Sequence, residues 1–547
     1  MSLRRVAPLL LGLCGCGDPA SGEAGSASLT VGTGVGESSG AGTSGGSSGG
    51  TTVGTTASTT MADGSSSGAA TEGPIFDVGG GPGPDLPGEE GPVIPTTCDE
   101  ALAGESTVGC LFYATDLDQN GPLESDQYAI AVSNPQDASP ANVVIEQKIG
   151  GAWQEVASMM VPASSLHPFP LPDLHQQSSG VLVGGSYRVS SDVPIVAYQF
   201  NPLIMGSYSS DASMLYPVPA WDSLNRALHW GGGYGRGYLT VVAAVDDTTI
   251  EVVPTVATMP GTGVPAGTPG NAFQVELDEG DLAEIMVAAD ATSLAGTRIE
   301  SLDPDKPIAV FTGHECAWIP HMVTACDHIE DQLSGVRLWG THFAGSRIPV
   351  RETGGTPETS LWQIVASENG TTVSFAAHAD VTGLPGAPVM LDAGEFVEYW
   401  VGGSFENPGD MMITADKPIA VANFMTGSGN LVTSTLGDPA IVQLSPVEQY
   451  LPRYIVLVPS EWELDMFVIT RPAGANIVLD GAAVDDTLFL PIAGGEYEVA
   501  RLATIDGFHT LESEAGFMVE VVGFDSADSY AYLGGTGTGK INPNPEG

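Results

Sequence analysis

Downstream of residue 96, apolar and polar positions alternate in short runs separated by turn residues. In one stretch, residues 239–245 and 249–253 flank Asp246-Asp247, residues 272–277 and 282–287 flank Asp278-Glu279-Gly280-Asp281, and residues 298–302 and 308–312 flank Asp303-Pro304-Asp305. Successive side chains of a strand point to opposite faces, so a period of two puts one face in a core and the other in water. Acidic residues, glycine and proline fall where the chain must turn. The pattern predicts three hairpins here, and nowhere an amphipathic helix of about twelve residues or more. The folded part is expected to be all-β.

Three phrases recur along it. A polar turn, a proline and an apolar strand appear as Asp192-Val-Pro-Ile-Val-Ala-Tyr, Asp305-Lys-Pro-Ile-Ala-Val-Phe and Asp416-Lys-Pro-Ile-Ala-Val-Ala, with a degenerate fourth copy at Gly516-Phe-Met-Val-Glu-Val-Val. Pro194, Pro307 and Pro418 are 113 and 111 residues apart. A second phrase begins at Asp211, Asp327 and Asp438, at intervals of 116 and 111 residues. A third, strand-turn-strand, covers 128–147, 238–253, 361–375 and 467–479. Independent phrases sharing one period define four tandem related β-modules of roughly 110 residues each.

The modules are placed at 96–230, 231–355, 356–460 and 461–535, followed by a flexible tail at 536–547. Six or seven short strands per module suit a β-sandwich, and a propeller-like ring is the alternative arrangement. Ile195, Ile308, Ile419 and Met518 are expected to be buried on one central strand of each module. The prolines are expected at that strand's entrance, where a missing N–H is tolerated. The aspartates are expected to open the segment leading to the next module.

Upstream of the modules the alternation disappears. Arg4 and Arg5 precede an apolar run at 6–13, far shorter than the ~20 residues that span a bilayer. Residues 1–16 therefore read as an export signal. It ends in Leu13-Cys14-Gly15-Cys16, which resembles the bacterial lipobox, and Cys16 is the expected lipidated residue because small Gly15 precedes it. The aspartate that marks inner-membrane retention is replaced by Gly17. The expected location is a bacterial membrane reached through the lipid anchor alone, at the outer membrane or cell surface. Residues 17–95 are rich in Gly, Ser, Thr and Ala and contain no Lys or Arg. Such a chain buries too little area to offset its conformational entropy, and is expected to be a disordered tether spanning roughly 50 Å. Three G-x-S-x-G matches within it, at 36–40, 45–49 and 64–68, lack the strand-turn-helix setting of a hydrolase nucleophile.

The chain has 16 Lys and Arg against 66 Asp and Glu, a formal charge of −50. That excludes nucleic acid, whose phosphates need a basic surface, and favours cations or basic partners. Cys98, Cys110, Cys316 and Cys326 form two pairs close in sequence. In an exported protein these are expected to be the disulfides Cys98–Cys110 and Cys316–Cys326, although four cysteines permit three pairings.

Taken together, Cys326-Asp-His-Ile-Glu-Asp-Gln-Leu with Trp339-Gly340, Gly437-Asp-Pro-Ala-Ile-Val-Gln-Leu-Ser-Pro-Val-Glu-Gln-Tyr, the Asp-Lys-Pro-Ile-Ala-Val strands and Phe112-Tyr-Ala-Thr-Asp-Leu-Asp resemble the IgGFc-binding protein N-terminal domain family. The likeness covers about residues 98–535. It departs at Ser334-Gly335, where the family usually has prolines. The resemblance implies a binding or adhesive role without catalytic residues.

Among local motifs, Asp116-Leu-Asp118-Gln-Asn120-Gly121 places oxygen ligands at alternate positions before a glycine, the first half of a calcium loop. Gln127 stands where the bidentate glutamate of a full loop belongs. Asp116, Asp118 and Asn120 are the candidate metal ligands, and Ca2+ the only cofactor considered for them; an acidic turn is the plainer reading. His314, Cys316, His321, Cys326 and His328 offer a zinc set, which a Cys316–Cys326 disulfide would dismantle. Residues 534–540 match most of a phosphate loop but lack its Ser/Thr. The expected function is a non-catalytic, lipid-anchored surface protein that binds an extracellular protein or glycan. A secreted polysaccharide hydrolase and a structural component of the envelope or matrix are the alternatives.

Overall fold

A computed structural model describes residues 94–545, except 104, 122, 123, 125 and 204–208. The export signal, Cys16 and all but the last two residues of the expected tether lie outside the described residues. After one α-helical turn, α1 (Cys98–Ala101), capped by Thr97, the chain is built from strands.

The first unit contains β1 (Gly109–Ala114), β2 (Ala129–Asn134), β3 (Ala141–Ile149), β4 (Ala152–Val161), β5 (Ser165–Pro170), β7 (Tyr187–Asn201) and β8 (Asp211–Met214), while β6 (Gly180–Leu182), between β5 and β7 in the chain, pairs with residues 282–284 at the edge of the second unit's sheet. The second contains β9 (Leu224–Arg226), β10 (Gly237–Ala243), β11 (Thr248–Val253), β12 (Phe273–Leu277), β13 (Leu282–Met286), β14 (Arg298–Ser301), β15 (Ile308–Ala317) and β16 (Asp327–Leu333). In the third are β17 (Gly340–Gly345), β18 (Ser360–Ala366), β19 (Thr371–Ala377), β20 (Val389–Leu391), β21 (Phe396–Val401), β22 (Met411–Phe424) and β23 (Ile441–Gln443). The fourth has β24 (Leu451–Val458), β25 (Leu464–Pro472), β26 (Val478–Leu479), β27 (Ala482–Ala483), β28 (Leu490–Pro491), β29 (Tyr497–Thr504), β30 (Gly507–Asp525) and β31 (Asp528–Leu533).

All four follow one antiparallel plan. One sheet runs β1-β7-β3-β4, with counterparts β9-β14-β11-β12, β17-β22-β19-β20 and β24-β30-β26-β27. The other runs β5-β2-β7-β8, with counterparts β13-β10-β15-β16, β21-β18-β22-β23 and β29-β25-β30-β31. The long strands β7, β22 and β30 pass from one sheet into the other, and in the second unit residues 302–307 break that strand into β14 and β15. Each unit is thus a small β-sandwich. Ile195, Ile308, Ile419 and Met518 occupy this shared strand and are all buried.

Three expectations need correction. The strand pairs read as hairpins in the second unit are arches: β10 and β11, β12 and β13, and β14 and β15 each split between the two sheets. A short acidic turn reverses the chain in either geometry, and alternation cannot tell them apart. The prolines are not uniformly at a strand's entrance. Pro194 and Pro418 lie inside β7 and β22, at the bend where pairing changes from β3 to β2 and from β19 to β18. Ladder bonds lapse there, so the missing N–H costs nothing. Pro307 alone directly precedes its strand. The expected free tail is also fixed in part: Thr536, Thr538 and Asn542 are buried.

The units close into a ring. Their last strands touch in sequence, β8 with β16, β16 with β23, β23 with β31, and β31 with β8. The chain's two described ends meet beside them, where Thr107 N donates to Thr536 O at 3.0 Å and Thr538 N donates to Glu105 O at 3.0 Å.

Candidate functional site

The ring's axis is built from the second repeated phrase. As the last strand of its sheet, β16 leaves alternate N–H groups unpaired, a liability when buried. The preceding unit covers them with side chains at the same spacing: His328 N donates to Ser209 Oγ at 2.9 Å, Glu330 N to Asp211 Oδ2 at 3.1 Å and Gln332 N to Ser213 Oγ at 2.7 Å. Asp211 also accepts from Ala212 N at 2.9 Å, Ile441 N at 3.3 Å and Ala531 N at 3.1 Å. One buried carboxylate therefore bonds the backbones of all four units. Burial pushes the Asp211 carboxyl well above its ordinary range, while the N–H donors of Glu330, Ala212 and Ala531 pull it back.

Three further aspartates surround this axis. Burial, then the charges of Asp528, Asp438 and Asp211, raise Asp327 well above the ordinary carboxylate range. Burial also lifts Asp528 to about 7 and Asp438 to about 6. Ser210 links two of them, its N donating to Asp327 Oδ1 at 2.8 Å and its Oγ to Asp528 Oδ1 at 2.7 Å. Asp528 opens β31 as Asp211 and Asp327 open β8 and β16. Sequence reading missed it, because the fourth copy of the preceding phrase has neither proline nor lysine.

At one end of the axis the loops that lead into β16, β23 and β31 interlock. Gly427 N donates to Ile319 O at 2.7 Å, Gly437 N to Asp525 O at 2.7 Å, and Ala527 N to Thr435 O at 3.2 Å. The Cys316–Cys326 disulfide, with Cα atoms 5.1 Å apart, closes the first of these loops. Two large apolar side chains stand in solvent there, Met322 at 72% exposure and Val432 at 91%. Rigid loops carrying exposed apolar groups are the usual makings of a recognition surface.

Cys98 and Cys110 form the second disulfide, Cα atoms 5.7 Å apart. Both cysteines of the zinc set are therefore oxidised. Its histidines His314 and His328 are buried, and burial holds both below the ordinary imidazole range. His314 Nδ1 accepts from Cys316 N at 3.0 Å. The phosphate-loop match is a packed strand exit, where Gly534 N donates to Val519 O at 2.8 Å and Gly537 N to Gln449 O at 2.7 Å.

The candidate calcium residues face different surroundings. Asp116 is buried and accepts from Leu174 N at 2.9 Å. Its carboxylate joins Asp173 and His175 in a group whose ligand atoms lie within 4.8 Å of one another. Burial lifts Asp116 to about 7, against the pull of Leu174 N and His175. Asp118 turns to the second unit: its backbone O accepts from Tyr238 Oη at 2.6 Å, and among the described residues nothing donates to its buried carboxylate. Asn120 is half-buried.

Four related sandwiches closed around a polar axis, with interlocked loops at one end, define a repeat-built all-β protein. The sequence profile of the family described as IgGFc binding protein matches residues 211–523, more than half of the chain. The chain belongs to this family. The IgGFc-binding protein of Homo sapiens is 28% identical to it over 342 residues, which is 61% of this chain and 6% of the human protein. The chain thus spans a small part of that relative's length. Among the described residues no helix is long and apolar enough to cross a membrane.

Proposed function

We propose that this protein is a lipid-anchored surface receptor that binds an extracellular protein through the loop end of its ring. The observation that carries the reading is the interlocked, disulfide-closed loop face with exposed Met322 and Val432, in a chain of a family described by binding. Cys16 and the Gly/Ser-rich tether hold that face away from the membrane, and the excess of acidic residues selects a partner with basic groups around an apolar centre. The relative's name makes immunoglobulin G Fc the first ligand to try, with glycans as the second class. Binding of the purified chain to Fc, to a panel of extracellular proteins and to a glycan array tests the reading, with an activity screen on common polysaccharides run beside it. Saturable binding to a protein is the expected result. Polysaccharide cleavage without protein binding would move the assignment to a hydrolase. For the anchor, Cys16→Ala is expected to release the chain from membranes, and retention of that variant at normal mature mass would refute lipidation.

A further inference from the structure

Between the first and second units the sheet containing β10 turns one face toward the loop at Asp116–Gly121. Tyr238 and Thr240 are two residues apart on β10 and share this face. Glu284 on β13 lies directly opposite Thr240, and Gly313 on β15 directly opposite Tyr238. Glu315, two residues beyond Gly313, joins them opposite Arg236, whose N donates to its carboxylate. Tyr238 Oη reaches across the boundary to the backbone O of Asp118, which sets Asp118 over the same patch.

Four of the side-chain oxygens gathered here lack donors among the described residues. Both carboxylate oxygens of Asp118, Oε1 of Glu284 and Oγ1 of Thr240 are buried without a hydrogen-bond partner among the described residues. All three residues are about 1% exposed. Leaving such oxygens unpaired is expensive, and two unpaired carboxylates repel as well. The Thr240 hydroxyl is itself without a partner among these residues and leaves both charges uncompensated. No Lys or Arg side chain is bonded to Asp118 or Glu284 among the described ion pairs. Desolvation and the charges of Asp118 and Glu315 both act on Glu284, as expected for a cluster that lacks its counter-ion.

We propose that Asp118, Glu284 and Thr240 bind a calcium ion that joins the first unit to the second. An all-oxygen donor set with two carboxylates suits a hard divalent cation and disfavours zinc, which takes nitrogen and sulfur. Magnesium, with its demand for near-ideal octahedral geometry and retained water, fits a dry, strand-borne site less well. Asp118 is thereby drawn out of the loop motif in which the sequence placed it. Its partners come from a different unit, more than 100 residues downstream. The inference is independent of any surface ligand.

The test uses the full chain stripped with EDTA and titrated with calcium chloride, followed by thermal unfolding and calorimetry. The expected result is a saturable rise in melting temperature with a single calcium equivalent, at an affinity of ~0.1–1 mM typical of extracellular modules, and a weaker response to magnesium. Glu284→Gln and Asp118→Asn are expected to fold without calcium at least as stably as the stripped wild type, because each removes the repulsion. Both should lose the calcium response. Terbium luminescence sensitised by Tyr238 gives a second readout, which Tyr238→Phe should diminish while leaving the calcium-induced rise in place. A stripped wild type that ignores calcium, or a Glu284→Gln variant that keeps the full response, overturns the proposal. Stabilisation by mild acid alone, with no response to calcium, would do so as well, by showing that a shared proton serves instead.

Discussion

Replacing Asp211 with alanine removes a side chain that bonds the backbones of all four units. Its carboxylate accepts three N–H groups from other units, those of Glu330, Ile441 and Ala531. Each buried donor left without a partner costs about 1–3 kcal/mol. Water entering the gap and the relief of burying a charge return part of this, so a net loss on the order of 3–6 kcal/mol is expected. Asp211→Asn keeps one acceptor oxygen but turns an NH2 toward N–H donors, so it should be nearly as damaging. Ser213→Ala, which frees Gln332 N and removes the longer Oγ donations to Asp331 Oδ1 and Met214 O, should cost about 1–2 kcal/mol. Urea unfolding followed by tryptophan fluorescence measures the series, with midpoints compared because a chain of four units need not unfold in one step. A midpoint for Asp211→Ala indistinguishable from wild type would show that the axis does not hold the ring.

Other consequences can be checked in the same assay. Ile308→Asp places a charge where a fully buried side chain worth roughly 1.5–3 kcal/mol now packs, and should unfold the second unit, seen as a lost cooperative transition; a native melting profile would contradict its core position. Ending the chain at Gly535 removes the Thr107–Thr536 and Glu105–Thr538 bonds and should lower the melting temperature and expose the Thr107 amide to hydrogen exchange; unchanged protection there would refute closure by the tail. Burial raises Glu520 from 4.5 to about 8, against the pull of Arg501. Below the ordinary value both the folded and unfolded states hold the proton, so no penalty applies. As pH rises through this window the unfolded state ionises first and the penalty on folding grows until about pH 8. Glu520→Gln should therefore be close to neutral near pH 4.5 and increasingly stabilising toward pH 8, and a pH-independent difference in melting temperature would refute the shift.

Much of the architecture was legible because the repeated phrases fall on the most constrained strand. That strand belongs to both sheets in the first, third and fourth units and is split between them in the second, and the apolar residues of the phrase at 195–198, 308–311 and 419–422 are buried in each copy. The lysines of the phrase tie down neighbouring turns. Lys306 Nζ donates to the carbonyls of Asp246 and Asp247 at 3.0 and 2.9 Å, and Lys417 Nζ donates to that of Asn369. The opening strands β9, β17 and β24 carry no phrase, and pairing groups them with the unit that follows. Hairpins and arches share the same alternation and turn residues, so only the sheet partners separate them. The repeated aspartates were visible, but their convergence was not. Side chains at 209, 211 and 213 meet N–H groups at 328, 330 and 332 only once the ring is closed. Glu284, Thr240 and Glu315 carried no motif, since their neighbour Asp118 comes from another unit. Their one sequence signal is a charged residue on an otherwise apolar strand face, as Glu284 is within Leu282–Met286.

The most direct test of the binding-platform account compares the purified wild-type chain with a Met322→Asp/Val432→Asp variant against immobilised immunoglobulin G Fc, the extracellular protein panel and the glycan array. Both side chains are solvent-exposed, so the variant should melt like wild type. The account predicts that wild type binds a protein saturably and that the variant loses tenfold or more in affinity, about 1.4 kcal/mol. Equal binding by the two chains would contradict it.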